Sequence, residues 1–382
     1  MSSQLRELIV RPPAVRTAAA GWRRYFELTK PKVVALIAFT SMVGTLLASG
    51  GVPSLDTFAW ASAGIALAAA SAATLNHVLE WQIDAQMART RARPLPAGRL
   101  SRGRAIALAV ILGALAMGIL VSLVNVVTAV LAFVSLIAYA GLYTVWLKHA
   151  TPQNIVIGGV AGAMPPVLGW TAITGRVDAN ALLLFLIIFV WTPPHFWALA
   201  IARRAEYARA GIPMLPVTHG VAHTRLQILL YTILLTVVTL LPFLTGMSGP
   251  LYLAGALILD AAFLYHALEL KGSLRPQLPM RVFRFSVSYL MWLFAALLID
   301  HYLPTARVIS LRLVMAGMCA LVTAGVFAAM FHAIWSTRAR AAPTAFRQSF
   351  ATELVWAAIP CLMILAAATP AVIAIVSAHL RE

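Results

Sequence analysis

The chain has 382 residues, of which 61% are hydrophobic and only 11% are charged. Soluble globular proteins carry about 25% charged residues, so this composition excludes that class and predicts an integral membrane protein. The net charge of +17 would suit a nucleic-acid-binding protein, but the distribution of the charge along the chain argues against one.

Apolar stretches recur along the whole chain, and each has the length of about 20 residues that a membrane-spanning helix requires. They predict an all-α integral membrane fold with about eleven spans, near residues 33–51, 57–80, 105–124, 126–147, 154–173, 180–201, 226–245, 250–270, 285–303, 309–334 and 353–377.

Lysine and arginine residues alternate between the connections of these spans. With the N-terminus assigned to one side, 25 of the 29 basic residues fall on that side, and only Arg176, Arg307, Arg312 and Arg381 fall on the other. The positive-inside rule then places the N-terminus in the cytoplasm, and an odd number of spans places the C-terminus outside. Residues 1–28 have no apolar core and are interpreted as a basic cytoplasmic tail rather than a signal peptide.

Three oxygen-bearing side chains follow one another at four-residue intervals where the second span ends: Asn76, Glu80 and Asp84. This spacing places them on nearly one face of a helix. Two carboxylates and an amide oxygen are ligands that suit Mg²⁺ when it also holds substrate phosphates. Arg89 and Arg93 follow, and a guanidinium fork matches phosphate oxygens. The cluster predicts a substrate with a diphosphate head and an apolar tail; the alternative is a solvated helix end with helical ion pairs.

A second basic loop resembles the first. It contains Arg203 and Glu206 and ends in Leu215-Pro216, as the first ends in Leu95-Pro96. The similarity indicates a weak parallel repeat with two polar loops facing one cavity. Lys148, after the fourth span, lies on the same side and could contact the diphosphate. The basic residues of this second loop, and Lys148, could equally be charges that only fix the orientation of the chain in the membrane.

This combination of residues suits the chemistry of an allylic diphosphate. Such a substrate loses diphosphate to leave a carbocation, and metal ions and cationic side chains stabilise the leaving group. The carbocation needs a dry pocket and is stabilised by aromatic faces. Acidic and basic loops above an apolar, aromatic cavity would supply both conditions.

Several residues inside the spans allow more than one interpretation. Pro193-Pro194, beside Trp191 and His195, predict a cavity wall, because proline frees backbone carbonyls that must avoid lipid. His195 could bind haem iron or act as a base, although periodicity alone favours a hydrogen-bonded core histidine. Asp260 is an isolated intramembrane carboxylate and the best support for a transporter. Cys319 and Cys361 lie in late spans and form no metal site by themselves.

The first-loop motif, with Met87, Arg89-Thr90 and Arg93-Pro94-Leu95-Pro96, resembles the UbiA superfamily of intramembrane prenyltransferases. Further segments narrow the resemblance to the heme O synthases, the protoheme IX farnesyltransferases, over roughly residues 22–303. These segments are residues 143–148, 154–170 (NIVIGGVAGAMPPVLGW), 191–199 (WTPPHFWAL) and 207–217 (YARAGIPMLPV).

The resemblance implies a nine-helix bundle in two four-helix halves plus one helix. It implies transfer of the farnesyl group of farnesyl diphosphate to a vinyl group of haem b, with water supplying a hydroxyl, and Mg²⁺ as the metal. Asn76, Glu80 and Asp84 correspond to the first metal–diphosphate motif and Glu206 to the second. Ala205 stands where family members usually carry another acidic residue, and Arg203 where a basic residue is usual.

The expected site residues fall into three groups. The expected catalytic residues are Asn76, Glu80, Asp84, Arg89, Arg93 and Lys148. Those expected to bind substrate are Arg203, Glu206, Tyr207, His195, Trp191 and Tyr143, with His149, His219 and His223 as alternative iron ligands. The expected metal ligands are Asn76, Glu80, Asp84 and Glu206.

Residues 304–382 extend beyond the expected core of residues 29–303. They are predicted to form two spans and resemble the transmembrane hairpin of cytochrome c oxidase subunit II without its copper domain. We expect either a docking hairpin near heme A synthase or oxidase assembly components, or a lipid-facing extension with no special role. The expected location is the bacterial cytoplasmic (inner) membrane, and no nucleic-acid partner is expected.

Two rival functions remain at this point. One is a UbiA-type prenyltransferase that acts on a quinone precursor or a chlorin. The other is a multi-span transporter, which predicts polar residues converging at mid-membrane, whereas here most lie at one face.

Overall fold

The computed structural model describes residues 18–303, 310–338 and 350–379, and within these ranges the chain is helical without β-strands. The helices are α1 (Ala18–Leu28), α2 (Pro31–Ala48), α3 (Leu55–Leu79), α4 (Trp81–Gln86), α5 (Arg102–Leu123), α6 (Val126–Ile137), a π-helical segment (Ala138–Leu147), α7 (Lys148–Ala150), α8 (Asn154–Ala163), α9 (Pro165–Thr174), α10 (Ala179–Ala202), α11 (Arg204–Arg209), α12 (Leu215–Thr218), α13 (Gly220–Leu244), α14 (Pro250–Gly272), α15 (Leu278–Tyr302), α16 (Ser310–Arg338) and α17 (Phe350–His379).

Ten segments within the described residues are long and apolar enough to cross a membrane. They are α2, α3, α5, α6 through α7, α8 with α9, α10, α13, α14, α15 and Met315–Ala333 of α16. The eleventh predicted span coincides with α17, whose apolar stretch, Leu354–Pro370, is shorter than these. The multi-span all-α prediction is therefore confirmed, with eleven as an approximate count.

The two proline pairs act differently. Pro165 and Pro166 begin α9 and divide the predicted fifth span at Met164, because proline suits the first turn of a helix but not its interior. Pro193 and Pro194 lie inside α10, which continues through them. This helix has the most buried apolar stretch of the ten, so neighbouring helices rather than lipid surround the freed backbone groups.

The centre of the bundle is α10, which packs against α8, α13 and α15. The helix α15 also contacts α14 and α2 and so closes the bundle. Glycine brings α2 and α9 into close contact: a Cβ added at Gly169 would lie 1.9 Å from the Ser41 carbonyl oxygen, and one at Gly44 would lie 2.2 Å from that of Pro166. Small residues allow this kind of backbone approach between membrane helices.

The long connections lie at one end of the bundle, which we call the loop face. Residues 80–101, which include α4, and residues 203–219, which include α11 and α12, connect helices there. The connections at the opposite end, such as 49–54 and 124–125, are short. Because loops on a rigid scaffold carry most functional side chains, the loop face is where a site is expected.

The two C-terminal helices lie on the bundle rather than forming a separate hairpin. The helix α16 packs against α13, and α17 packs against α10, and both contacts are more extensive than the contact between α16 and α17. The helix α17 also touches α8. Near the loop face, the ring of Trp356 lies 6.3 Å from that of Trp146 in the π-helical segment.

Candidate active site

The first predicted motif lies where α3 meets α4. The helix α3 ends at Leu79, and Glu80 occupies the break before α4. Hydrogen bonds from the Glu80 amide to the Asn76 carbonyl and from the Asp84 amide to the Glu80 carbonyl keep the helical step across this break. The side chains of Asn76, Glu80 and Asp84 are all buried. The predicted common face is therefore present, although two helices rather than one supply it.

Each of these three side chains contacts a different cation. Lys148 Nζ lies 2.5 Å from Glu80 Oε1, and an Arg93 guanidinium nitrogen lies 2.7 Å from Asp84 Oδ2. Lys30 Nζ donates a hydrogen bond to Asn76 Oδ1. The cations come from three separate elements: the α1–α2 turn, the loop after α4, and α7. The site thus alternates positive charge and oxygen ligands in a largely buried place.

Lys30 was not among the predicted site residues. It adopts a left-handed backbone conformation, with φ of 50°, directly before Pro31, which is uncommon for a residue with a side chain. Burial lowers the pKa of its ammonium group to about 8, and repulsion by Arg93 acts in the same direction. In the sequence this lysine looks like one more of the basic residues before the first span, so only the fold identifies it.

The π-helical segment supplies the wall beside Asn76. Thr144 Oγ1 donates to the Tyr139 carbonyl and accepts from Asn76 Nδ2 at 3.2 Å. The rings of Tyr139 and Tyr143 stack with centroids 5.6 Å apart. Tyr143 also covers Gly158 of α8, because a Cβ added there would lie 2.2 Å from its ring. A π-helical stretch is rare and often occurs at functional sites, and no sequence pattern predicted it.

The second predicted loop faces the first. Arg203 pairs with Glu206 at 3.0 Å, and Tyr207 is buried in the same apolar cluster as Met87 of the first loop. Burial raises the pKa of the Tyr207 hydroxyl above its usual value. Arg89, which is exposed, and Glu80 from the first loop also act on that pKa, so Tyr207 lies between the two loops.

The acidic residues of the two loops do not form one cluster. Among the described residues, no three His, Cys, Asp or Glu side chains come close enough together to hold a single metal ion. Glu80, Asp84 and Glu206 therefore do not meet in one such cluster in the part of the chain that the structure describes.

His195 is packed inside the bundle. Its Nδ1 lies 2.7 Å from Ser286 Oγ of α15, and its ring stacks between Trp191, at 4.3 Å, and Phe283, at 4.6 Å. Trp191 Nε1 donates to the Ser286 carbonyl. These contacts match the interpretation of His195 as a hydrogen-bonded core histidine. Because Nδ1 is taken by Ser286, any further ligand of this ring would have to bind Nε2.

The other predicted candidates lie elsewhere. His149 is exposed beside Lys148, and His219 and His223 lie at the start of α13 with ring centroids 5.3 Å apart. Cys319 and Cys361 are buried and unbridged.

Asp260 has a structural explanation. It accepts hydrogen bonds from Tyr289 at 2.5 Å and Thr239 at 2.7 Å, which join α13, α14 and α15. A buried carboxylate with two donors is satisfied without a transported ion. Asp260, the main argument for a transporter, is therefore explained without transport.

Comparison with known proteins shows the family to which the chain belongs. A family model described as the UbiA prenyltransferase family matches residues 37–290. The chain belongs to the UbiA prenyltransferase family. The matched range contains Asn76, Glu80, Asp84, Lys148 and Glu206, but neither Lys30 nor α16 and α17.

Individual relatives of this family member are similar over most of their length. A protein named protoheme IX farnesyltransferase from Methylococcus capsulatus is 59% identical over 283 residues, which cover 74% of this chain and 95% of that protein. One of the same name from Marinobacter nauticus is 57% identical over 282 residues, covering 74% and 93%.

Solved structures share the fold at low sequence identity. One described as concerning digeranylgeranylglyceryl phosphate synthase has a TM-score of 0.63 and 18% identity, covering 74% of this chain and 99% of that one. An apo UbiA homologue from Aeropyrum pernix has a TM-score of 0.57 and 17% identity, covering 71% and 98%.

Proposed function

We propose that this chain transfers the farnesyl group of farnesyl diphosphate to a vinyl group of haem b (protoheme IX), with addition of water, and so makes heme O. The observation that carries this proposal is the 59% identity to a protein named protoheme IX farnesyltransferase over 95% of that protein's length. The buried cluster of oxygen ligands and cations on the loop face supplies the chemistry that such a transfer needs.

The donor set of the first loop fits magnesium. Asn76, Glu80 and Asp84 offer only oxygen atoms on one buried face, which is the kind of site Mg²⁺ occupies when it also holds phosphates. When bound there, Mg²⁺ would neutralise charge on the leaving diphosphate. Lys30, Lys148 and Arg93 contact these three side chains, and with a diphosphate bound they would donate to its phosphate oxygens.

The chain's own residues then govern the reactive intermediate. Cleavage of the bond between the farnesyl C1 and the diphosphate oxygen leaves an allylic cation, and the oxygen keeps the electron pair. The aromatic faces of Tyr139 and Tyr143 beside the site stabilise such a cation and exclude water. Carbon–carbon bond formation with the haem vinyl group moves the positive charge to the haem side, where water adds and releases a proton.

The second loop completes the diphosphate site in this proposal. Arg203 and Glu206 lie across from the first loop, with Tyr207 between them. Arg89, exposed at the mouth of the site, adds a further cation for the phosphates. Ala205 leaves this loop with a single carboxylate, so we assign most of the metal binding to the first loop.

His195 and Trp191 are proposed to border the haem site. They are stacked in the middle of the bundle, below the loops, and Ser286 fixes the ring orientation of His195 through Nδ1. This leaves Nε2 for iron, in the way that a hydrogen bond on one ring nitrogen orients the other. In His195→Gln, the Soret band of bound haem b should shift; an unchanged spectrum would exclude His195 as the ligand.

The acceptor is tested by competition. Purified protein in nanodiscs receives labelled farnesyl diphosphate and Mg²⁺ together with haem b, a quinone precursor and a chlorin. We expect label in the haem fraction alone. Label in the quinone or chlorin fraction would show that the protein is a prenyltransferase with an acceptor other than haem.

We further propose a location in the bacterial cytoplasmic membrane with the loop face in the cytoplasm. The distribution of basic residues supports this orientation. Cysteine-accessibility labelling tests it: a cysteine in place of Arg204 should react from the cytoplasmic side, and one in place of Arg176 from the other. The reverse pattern would invert the topology.

We also propose that residues 304–382 dock components of oxidase assembly. The outward faces of α16 and α17 carry exposed large apolar side chains, including Leu321, Val355 and Leu362, while their inward faces pack on the bundle. Replacing these three residues with alanine should leave prenyl transfer unchanged and abolish co-purification with heme A synthase or oxidase subunits. Unchanged co-purification would favour a lipid-facing extension.

A further inference from the structure

The groove between α14 and α15 at the loop face has features that the proposed reaction does not use. We propose that it binds the phosphate group of an anionic phospholipid. A cavity of about 600 Å³ lies there, lined by Arg281, Arg284, His266, Gln277 and Ser288 together with the apolar side chains of Met280 and Phe285.

Positive charge dominates this cavity. Glu269 is its neighbouring acidic residue, and it already lies 3.7 Å from Arg281, 3.9 Å from Arg275 and 3.8 Å from His266. Within the part of the chain that the structure describes, Arg284 makes no ion pair. The guanidinium group of Arg284, which lines the cavity, is therefore available to bind an anionic ligand.

The two arginines suit a phosphate in particular. Arg281 and Arg284 are three residues apart on α15, so they lie on adjacent turns of one face. Both side chains are exposed, and a guanidinium fork matches phosphate oxygens in two-point contacts. Ser288 continues the same face one turn further and adds a hydroxyl group.

The position in the membrane favours a lipid as the source of the phosphate. The helix α14 ends at Gly272 and α15 begins at Leu278, so Arg281 lies in the first turns of a membrane span, at the level of lipid headgroups. Beyond Ser288 the same face of α15 presents Trp292, which is 65% exposed and one turn deeper. Acyl chains would lie along this apolar surface, and basic pockets between helices are known places for anionic headgroups.

The cavity is separate from the proposed reaction. On α15, Phe283 and Ser286 face α10 and contact His195, whereas Arg284 and Phe285 line the cavity. The lipid site therefore does not rest on the proposed function, and a failure of one would leave the other standing.

Native mass spectrometry of the full-length protein tests the site. Protein in mild detergent is titrated with phosphatidylglycerol or, separately, with phosphatidylcholine. The double variant Arg281→Gln with Arg284→Gln is compared with Lys271→Gln, which removes a charge from the same end of α14 without lining the cavity. Losing both arginines should weaken the tightest phosphatidylglycerol binding by about 30-fold, while the Lys271 variant should bind as the wild type does.

Two further arms separate the possible outcomes. Inorganic phosphate at millimolar concentration should not displace the lipid; phosphate binding without lipid retention would keep the phosphate site but overturn the lipid as its source. The proposal would be overturned if all three proteins retained phosphatidylglycerol equally. It would also be overturned if the wild type retained phosphatidylcholine as well as it retains phosphatidylglycerol. If the double variant fails to fold, Arg284→Gln alone decides, because Arg284 has no ion pair to lose within the described chain.

Discussion

At the residue scale, Asp84 is one of the two carboxylates of the proposed metal site. It is buried and holds Arg93 at 2.7 Å. Asp84→Asn keeps the shape but removes the carboxylate, so prenyl transfer should fall on the order of 100-fold or more. The measurement is kcat for heme O formation. Asp56→Asn, exposed at the far end of the preceding helix α3, is the matched control and should keep wild-type activity. Equal activity of both variants would remove Asp84 from the site.

Lys30 gives a second prediction at this scale, because it is a cation that the sequence did not reveal. It contacts Asn76 in a largely buried place, and the proposed function assigns it to the diphosphate. Lys30→Gln should raise the KM for farnesyl diphosphate about tenfold or more through loss of a charge-assisted hydrogen bond. Lys32→Gln, two residues away and exposed, should leave that KM unchanged. If the two variants behave alike, Lys30 contributes only general positive charge.

At the element scale, the contact between α8 and the π-helical segment fixes the wall of the site. A Cβ at Gly158 would lie 2.2 Å from the ring of Tyr143, whereas nothing lies within 4 Å of one at Gly162. Gly158→Ala should displace the ring and lower kcat on the order of 100-fold, because small misplacements near the reacting group are costly. Gly162→Ala on the same helix should leave kcat unchanged. If Gly158→Ala also left kcat unchanged, the position of the Tyr143 ring would not matter for prenyl transfer.

At the scale of the whole molecule, α16 and α17 cover helices that the proposed site depends on. They pack against α13 and α10, yet every proposed site residue lies between residues 30 and 207. A chain ending at residue 303 should therefore catalyse prenyl transfer at low temperature but unfold at a lower temperature than the full chain. Thermal unfolding and activity are measured in the same lipid. Loss of activity in a still-folded truncated chain would instead indicate that Trp356 supports the π-helical segment through Trp146.

The sequence predicted the parts of this molecule that depend on local pattern. Asn76, Glu80 and Asp84 were predicted to share a face because a four-residue step has a fixed geometry. The eleven predicted spans lie within a few residues of the helices found, with two exceptions: α13 begins at Gly220 rather than near 226, and α15 begins at Leu278 rather than near 285. Arg281 and Arg284 lower the local hydropathy there, so an apolar pattern alone begins too late.

The parts that the sequence did not predict depend on contacts between distant residues. Lys30 meets Asn76 across 46 residues, and His195 meets Ser286 across 91. The ten-residue π-helical segment lies within one continuous apolar span, so hydropathy does not distinguish it from the α-helix before it. The packing of α17 on α10 likewise follows from the shape of the bundle rather than from any motif.

Formation of heme O by the intact protein tests the central claim most directly. Purified full-length chain in nanodiscs receives haem b, farnesyl diphosphate and Mg²⁺, and the haems are then separated by chromatography and weighed by mass spectrometry. We predict a new, more strongly retained haem with the added mass of a farnesyl group and one hydroxyl group, and this haem should be absent when EDTA is present. Folded protein that yields no such haem, or yields it equally in EDTA, would contradict the account.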